Sequence, residues 1–283
     1  IWIQPAAGDA GGALGCALFA HHQVLGGERK VAGPRGGQNQ SCLGPAFSTD
    51  EIADWLDARG YPYLREALAR VLEHPARLIS EEKVVGWFSG RMEFGPRALG
   101  ARSIIADARS PTIQSVMNLK IKRRESFRPF APSCLEEDAA EFFELDRPSP
   151  YMLLVAPVRD ERRNKLTSEQ QKLRGIDRLG VSRSDVPAVT HVDYTARVQT
   201  VNAQDHHRYH RLISEFKKLT GQGIIVNTSF NVRGEPIVCT PEDAFRCFMG
   251  TEIEVLVTGN CYLRKEDQDP ALKRDYKDAF ELD

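Results

Sequence analysis

The residues best suited to chemistry lie in Asn118–Ser133, NLKIKRRESFRPFAPS, where Lys120, Lys122, Arg123, Arg124 and Arg128 precede or interrupt the stiff apolar run FRPFAP. In an extended segment, Lys122 and Arg124 alternate onto one side. Two cations aimed at one place repel unless an anion lies between them, so the pattern reads as a seat for a phosphate or a carboxylate-like ligand. The plainer alternative is a solvated basic face, or a local pair such as Arg124 with Glu125.

Four further segments carry candidate groups. In Gly90–Gly100, GRMEFGPRALG, Gly95-Pro96 forces a turn immediately before Arg97, and Gly100 permits close backbone approach. Arg97 reads as an anion clamp, with Glu93 holding a neighbouring cation, or else the segment is a structural turn with a salt bridge. Arg197 sits in the strand-like YTARVQTV, preceded by His191 and Asp193 at strand alternation; that pair reads as an acid/base pair or, more simply, as a hydrogen-bonded structural element. Asn227-Thr-Ser-Phe-Asn231 follows an apolar strand and places Ser229 and Asn231 at a sheet end, a common ligand position in α/β folds. Asp9, in the glycine-rich turn GDAGG, either binds a metal or caps the helix that follows.

The elements that must hold these groups alternate between strand and helix. Val84–Phe88, Ser103–Ala106, Met152–Pro157, Ala196–Val201, Gly223–Val226 and Val255–Thr258 read as strands. Thr112–Ile121, His207–Thr220 and Pro241–Met249 read as helices, the last with Pro at its start. Ser48 and Glu51 have capping-box spacing for another, Tyr63–Leu72 reads as helical, and residues 1–24 as a strand end, a turn and a buried helix. Residues 25–48 and the charged stretch Asp160–Ser184 read as loops, the latter exposed and mobile, and the charged tail after Lys265 as prone to fray. The expected class is α/β over roughly residues 80–265.

The chain has 283 residues, a net charge of −1 and 41% hydrophobic residues. That balance argues against a general nucleic-acid coat, and no apolar stretch approaches membrane-span length. The six cysteines, without a C-x-x-C pair, read as buried reduced thiols of a cytoplasmic protein. A start at Ile1 rather than Met reads as a piece of a longer protein.

Four ordered stretches, GWFSGRMEFGPRALGARSIIADAR, NLKIKRRESFRPFAPS, HVDYTARVQTV and NTSFNVRGEPIVCTPEDA, resemble the bacterial O-carbamoyltransferases of the nodulation and antibiotic type, such as tobramycin carbamoyltransferase. The likeness runs over essentially the whole chain. It implies a twisted mixed sheet of the YrdC-like kind over residues 80–283, a helical connector over 45–79, and over 1–44 the C-terminal remnant of an actin-like ATPase-type transfer domain. It also implies activation of carbamoyl phosphate with ATP and magnesium to carbamoyl adenylate, and transfer to a hydroxyl of a small-molecule acceptor. Neither nucleic acid nor membrane is an expected partner.

By the same resemblance, Arg97, Lys122, Arg128, Arg197 and Ser229 hold the carbamoyl phosphate and the adenylate. Lys122 with Arg124, and Ser229 with Asn231, look like the Lys-x-Arg and Ser-x-Asn signatures of YrdC-like proteins. Asp9 matches an aspartate that ligates iron in the transfer domain, whose other ligands are then expected upstream of Ile1. Arg123 stands where an apolar or aromatic residue is expected. The competing implication is a threonylcarbamoyl-adenylate synthase of tRNA modification, and a third is a nucleotide-binding module without chemistry.

Overall fold

The computed structural model describes residues 3–30, 38 and 41–273. Among these residues nine strands form one mixed sheet: β1 (Leu64–Arg65), β2 (Val85–Phe88), β3 (Arg102–Asp107), β4 (Ala131–Leu135), β5 (Leu154–Pro157), β6 (Thr195–Val201), β7 (Ile224–Ser229), β8 (Val255–Thr258) and β9 (Cys261–Arg264). Their order is β1-β9-β8-β2-β3-β7-β4-β6-β5. β2 with β8 and β4 with β6 are parallel, and the other neighbours are antiparallel. The fold is therefore a mixed α/β sheet.

Strand alternation divides the core. Val85, Trp87, Ile105, Ile225, Val255 and Val257 face the packed helices Leu68–Ser80 and His207–Thr220, meeting Val71, Leu72, Ile79, Leu212, Ile213 and Phe216. Phe88, Ile104, Val226, Phe230 and Leu256 face the other way, toward Thr49–Asp57, Ile113–Ile121 and Pro241–Gly250. The helix starts follow their local chemistry: Ser48–Glu51 and Thr240–Asp243 are both complete capping boxes, the second with Pro241 just inside.

Several elements differ from the sequence expectation. Tyr63–Leu72 is not one helix: Leu64 and Arg65 pair with Tyr262 and Cys261, and the helix runs Leu68–Ser80. Pairing with the edge of the sheet satisfies that backbone in place of helical bonds. The helices of residues 45–79 share the two cores with the sheet, and Gly44 and Met92 are joined by an amide–carbonyl bond of 2.9 Å. Asp9–Phe19 is a helix, but none of its residues is buried. Asp160–Ser184 contains short helices and is tied across its neck, where Asn164 Nδ2 donates to the Ser182 and Ser184 carbonyls at 3.2 and 3.1 Å. Cys134, Cys247 and Cys261 are buried as expected, but Cys16 is exposed and Cys42 and Cys239 are half-buried. Residues 31–37, 39–40 and 274–283, within the expected loop and tail, lie outside the described residues. Among the described residues no helix is long and apolar enough to cross a membrane.

Candidate functional site

Four of the candidate residues, Arg97, Arg124, Arg197 and Ser229, gather at one end of the central strands. Antiparallel pairing sets Ala131 opposite Asn227 at the start of β4, and parallel pairing sets Ser133 beside Gln199. Two residues back along β4 and β6, that register brings Arg197 level with Ala131. The turn before β3 adds Arg97. A cavity of about 140 Å³ results, lined among others by Arg97, Arg124, Met152, Arg197, Asn227 and Ser229. Among the described residues, no carboxylate lines it.

Arg97 is presented by a loop built on a buried carboxylate. Glu93 Oε1 accepts the backbone N–H groups of Leu99 and Ala101 at 2.6 and 2.7 Å. Glu93 thus gathers amides, whereas the sequence suggested a salt bridge with a neighbouring cation. The buried Arg102 guanidinium lies with its carbon 3.6 Å from the Phe88 ring centre and donates to backbone carbonyls. Gly100, at φ +109°, closes the loop. A Cβ there would meet Tyr209 Cδ1 at 2.3 Å, so only glycine fits.

A second support is a buried amide network absent from the sequence reading. Gln199 Nε2 donates to the Leu99 carbonyl at 2.7 Å, and Gln199 Oε1 accepts from Ser133 Oγ at 2.5 Å and Asn227 Nδ2 at 2.8 Å. Asn227 also reaches the Ala98 carbonyl at 3.1 Å. These bonds dock the Arg97 loop onto β4, β6 and β7. The available signal was a glutamine in the middle of an apolar strand.

Arg124 is held by Asn118, whose Oδ1 accepts from Nε at 2.6 Å while its Nδ2 donates to the Ser126 and Arg128 carbonyls at 3.0 and 2.8 Å. Its guanidinium carbon lies 5.1 Å from the Phe130 ring centre. Burial, with a further contribution from the charge of Arg128, brings the Arg124 pKa down to about 10. Arg197 is lowered first by burial and then by the charge of Arg97. Its Nε is buried without a hydrogen-bond partner. Among the described residues, neither Arg97 nor Arg197 has a carboxylate partner.

Lys122 and Arg124 do not project together from an extended strand. Met117–Ile121 is a wide helical turn, Lys122 remains helical and Arg123 takes φ +49°, which redirects the chain between them. Lys122 is buried behind the cavity. Its Nζ donates to the Ser229 carbonyl, to the Asn231 carbonyl at 2.9 Å and to Asn231 Oδ1 at 2.8 Å, with Ser229 Oγ at 3.3 Å. Ser229 Oγ in turn donates to Asn231 Oδ1 at 2.7 Å. The ammonium therefore organises the end of β7 and touches the cavity only through Ser229. Burial drives its pKa down to about 7. Arg128 is exposed, pairs with Glu125 at 3.0 Å and does not line the cavity. Arg123 Nη2 donates to the Gly250 carbonyl at 3.3 Å, a contact an apolar residue could not make.

His191 and Asp193 sit in the turn before β6, off the expected strand alternation. Thr195 Oγ1 donates to Asp193 Oδ1 at 2.7 Å and stands 3.1 Å from His191 Nδ1. They form the hydrogen-bonded structural element expected of such a pair. Asp9 is exposed in the first turn of its helix, and no group of three or more His, Cys, Asp or Glu able to hold a metal occurs among the described residues. A lone Asp9 does not by itself hold the iron that the resemblance implies.

The Carbamoyltransferase C-terminus family model matches residues 76–265. An uncharacterized Synechocystis protein is 55% identical over 100% of this chain and 46% of its own length. Nodulation protein NolNO of Sinorhizobium fredii is 41% identical over 95% of this chain and 37% of its length. The 3'-hydroxymethylcephem-O-carbamoyltransferase of Streptomyces clavuligerus is 31% identical over 94% and 44%. The chain thus spans less than half the length of these relatives. Full-length HypF in its phosphate- and nucleotide-bound form matches with a TM-score of 0.42 and 17% identity, over 67% of this chain and 25% of that one, too distant a likeness to carry an argument.

Proposed function

The chain belongs to the carbamoyltransferase family through that family's C-terminal region, and from this premise we propose that it activates a carbamoyl group: carbamoyl phosphate and MgATP enter, and carbamoyl adenylate, phosphate and pyrophosphate leave. The observation that carries this reading is the cavity where Arg97, Arg124 and Arg197 converge without a carboxylate among its lining residues.

In the proposed reaction, water releases phosphate from carbamoyl phosphate. A carbamate oxygen then attacks the α-phosphorus of ATP, and the bond to the pyrophosphate leaving group breaks. Both substrates are anions and would repel in water. The three guanidiniums offset that repulsion and stabilise negative charge as it accumulates in flight. Ser229 supplies a hydroxyl at the cavity wall, and Lys122 and Asn231 hold it there. Arg128 adds its charge from outside. Magnesium arrives on the ATP phosphates, in keeping with a wall that carries no acidic side chain.

The same reading takes the sheet as YrdC-like, residues 1–44 as belonging to a transfer domain, and the final acceptor as a hydroxyl-bearing small molecule. The names of the relatives support a carbamoyl acceptor of that kind. Carbamoyl-phosphate-dependent exchange of labelled pyrophosphate into ATP tests the activation step. Exchange is expected from the wild type and is expected to fall by 100-fold or more, about 2.7 kcal/mol, on Arg97→Ala. Exchange that requires bicarbonate and threonine instead would replace this reading with the threonylcarbamoyl one.

A further inference from the structure

The sheet holds two parallel pairs, and the cationic cavity lies beside only one of them, β4 with β6. In the other pair, β2 and β8 run side by side in the same direction. From their carboxyl ends the chain leaves β2 for β3 on one side and β8 for β9 on the other, because the local order is β9-β8-β2-β3. Connections that diverge from adjacent parallel strands leave a crevice between them, the place where open α/β sheets commonly take ligands. A cavity of about 470 Å³ occupies this crevice, walled by Gly90 and Arg91 after β2, by Gly259 after β8, and by residues 205–209 at the start of the His207–Thr220 helix. Its volume is within the range of sites for small organic ligands, roughly 300–1,000 Å³. We propose that this cavity binds a small hydroxylated organic anion, a carboxylate or a phosphate ester, whose charged group pairs with Arg91 and Arg208 and whose hydroxyls meet Asp205.

The charges of the wall call for such a ligand. Two guanidiniums, Arg91 and Arg208, line it against the single carboxylate of Asp205. Burial lowers the pKa of His206, so that ring adds no charge at neutral pH. Arg91 Nη1 donates to the Gly44 carbonyl at 2.7 Å. Arg208 donates from Nη1 to Asn260 Oδ1 at 2.8 Å and from Nη2 to the Gly259 carbonyl, with its guanidinium carbon 5.5 Å from the Trp87 ring centre. Both guanidiniums are thus fixed by neutral groups, and among the described residues neither has a carboxylate partner. Burial brings the Arg208 pKa down to about 10, a cost that a bound anion would offset. Gly90 and Gly259, at φ +67° and +55°, present bare backbone to the cavity and let a ligand come close.

The two cavities share no lining residue, yet one loop walls both. Gly90, Arg91, Gly100 and Ala101 line this cavity, and Pro96, Arg97 and Ala98 line the cationic one.

The inference stands apart from the carbamoyl reading, and its test is made where the cationic seat is disabled. Glycerol 3-phosphate and glycerate are titrated into the Arg97→Met/Arg197→Met double variant of the 283-residue chain, with glycerol as the uncharged control. The readout is the indole N–H resonance of Trp87, which donates to the Gly100 carbonyl at 2.8 Å and lies beneath Arg208. At least one of the two anions is expected to shift that resonance saturably, while glycerol does not. Whichever anion binds more tightly tells a phosphate site from a carboxylate site. Adding Arg91→Met, an exposed position, is expected to weaken the tighter anion about tenfold, and Arg208→Met to do so at least as much. If neither anion shifts the resonance, if glycerol binds as tightly as they do, or if Arg91→Met leaves the affinity within about twofold, the proposal falls.

Discussion

Arg197→Met exchanges a charge for an apolar side chain of similar length at the point where the cavity is most frustrated. The guanidinium is partly buried, its Nε has no partner, and Arg97 repels it. An unsatisfied buried donor costs about 1–3 kcal/mol, so without ligand the variant should be more stable than wild type by about 1 kcal/mol. For a chain of this size that raises the melting temperature by about 2–4 °C. With an anion the order should invert. A hydrogen bond to a charged group contributes about 1.5–3 kcal/mol, so tripolyphosphate affinity should fall roughly 10- to 150-fold. At a ligand concentration of about 100 times the wild-type Kd, the wild type gains about 2.7 kcal/mol and the variant far less. Differential scanning fluorimetry across a tripolyphosphate series should therefore show the two melting curves crossing. An Arg197 that merely supports the fold would give a variant less stable at every concentration, and that result refutes the reasoning.

Lys122, with its pKa near 7, sheds its proton in the folded chain while the unfolded chain keeps it up to about 10.4. Stability should then rise with pH between 7 and 9, by up to about 2 kcal/mol, and Lys122→Met should flatten that rise in urea unfolding. Below pH 7 the full cost of the buried ammonium is present, and no such dependence is expected. Glu93→Ala should lose about 2 kcal/mol, as the amides of Leu99 and Ala101 lose their acceptor, whereas Glu93→Gln keeps an acceptor oxygen and should lose less. Gly100→Ala forces a Cβ into Tyr209 from a left-handed backbone, and chemical denaturation should show a loss of at least about 1–3 kcal/mol.

The strands and most helices were legible because their periodicities are local. Val85 and Trp87 alternate with Gly86 and Phe88 across the sheet, and His207–Thr220 keeps one apolar face. The β1 strand was not legible, because its cause is a free edge at β9, nearly two hundred residues away in sequence. Arg97, Arg124 and Arg197 could each be singled out as cations, but their convergence depends on the β4–β6–β7 register, and only family resemblance hinted at it. Lys122 misled because alternation was applied to a segment that is helical and then reversed at Arg123. Asn118, Gln199 and Asn227 passed unnoticed as supports. Each has a backbone carbonyl among its partners, and carbonyls are groups that every sequence has and none displays.

Titration of carbamoyl phosphate into the 283-residue chain and into its Arg97→Met/Arg197→Met double variant tests the convergent guanidiniums most directly. Saturable binding by the wild type and its loss in a folded double variant is the expected outcome. A double variant that binds carbamoyl phosphate as tightly as the wild type would contradict the account.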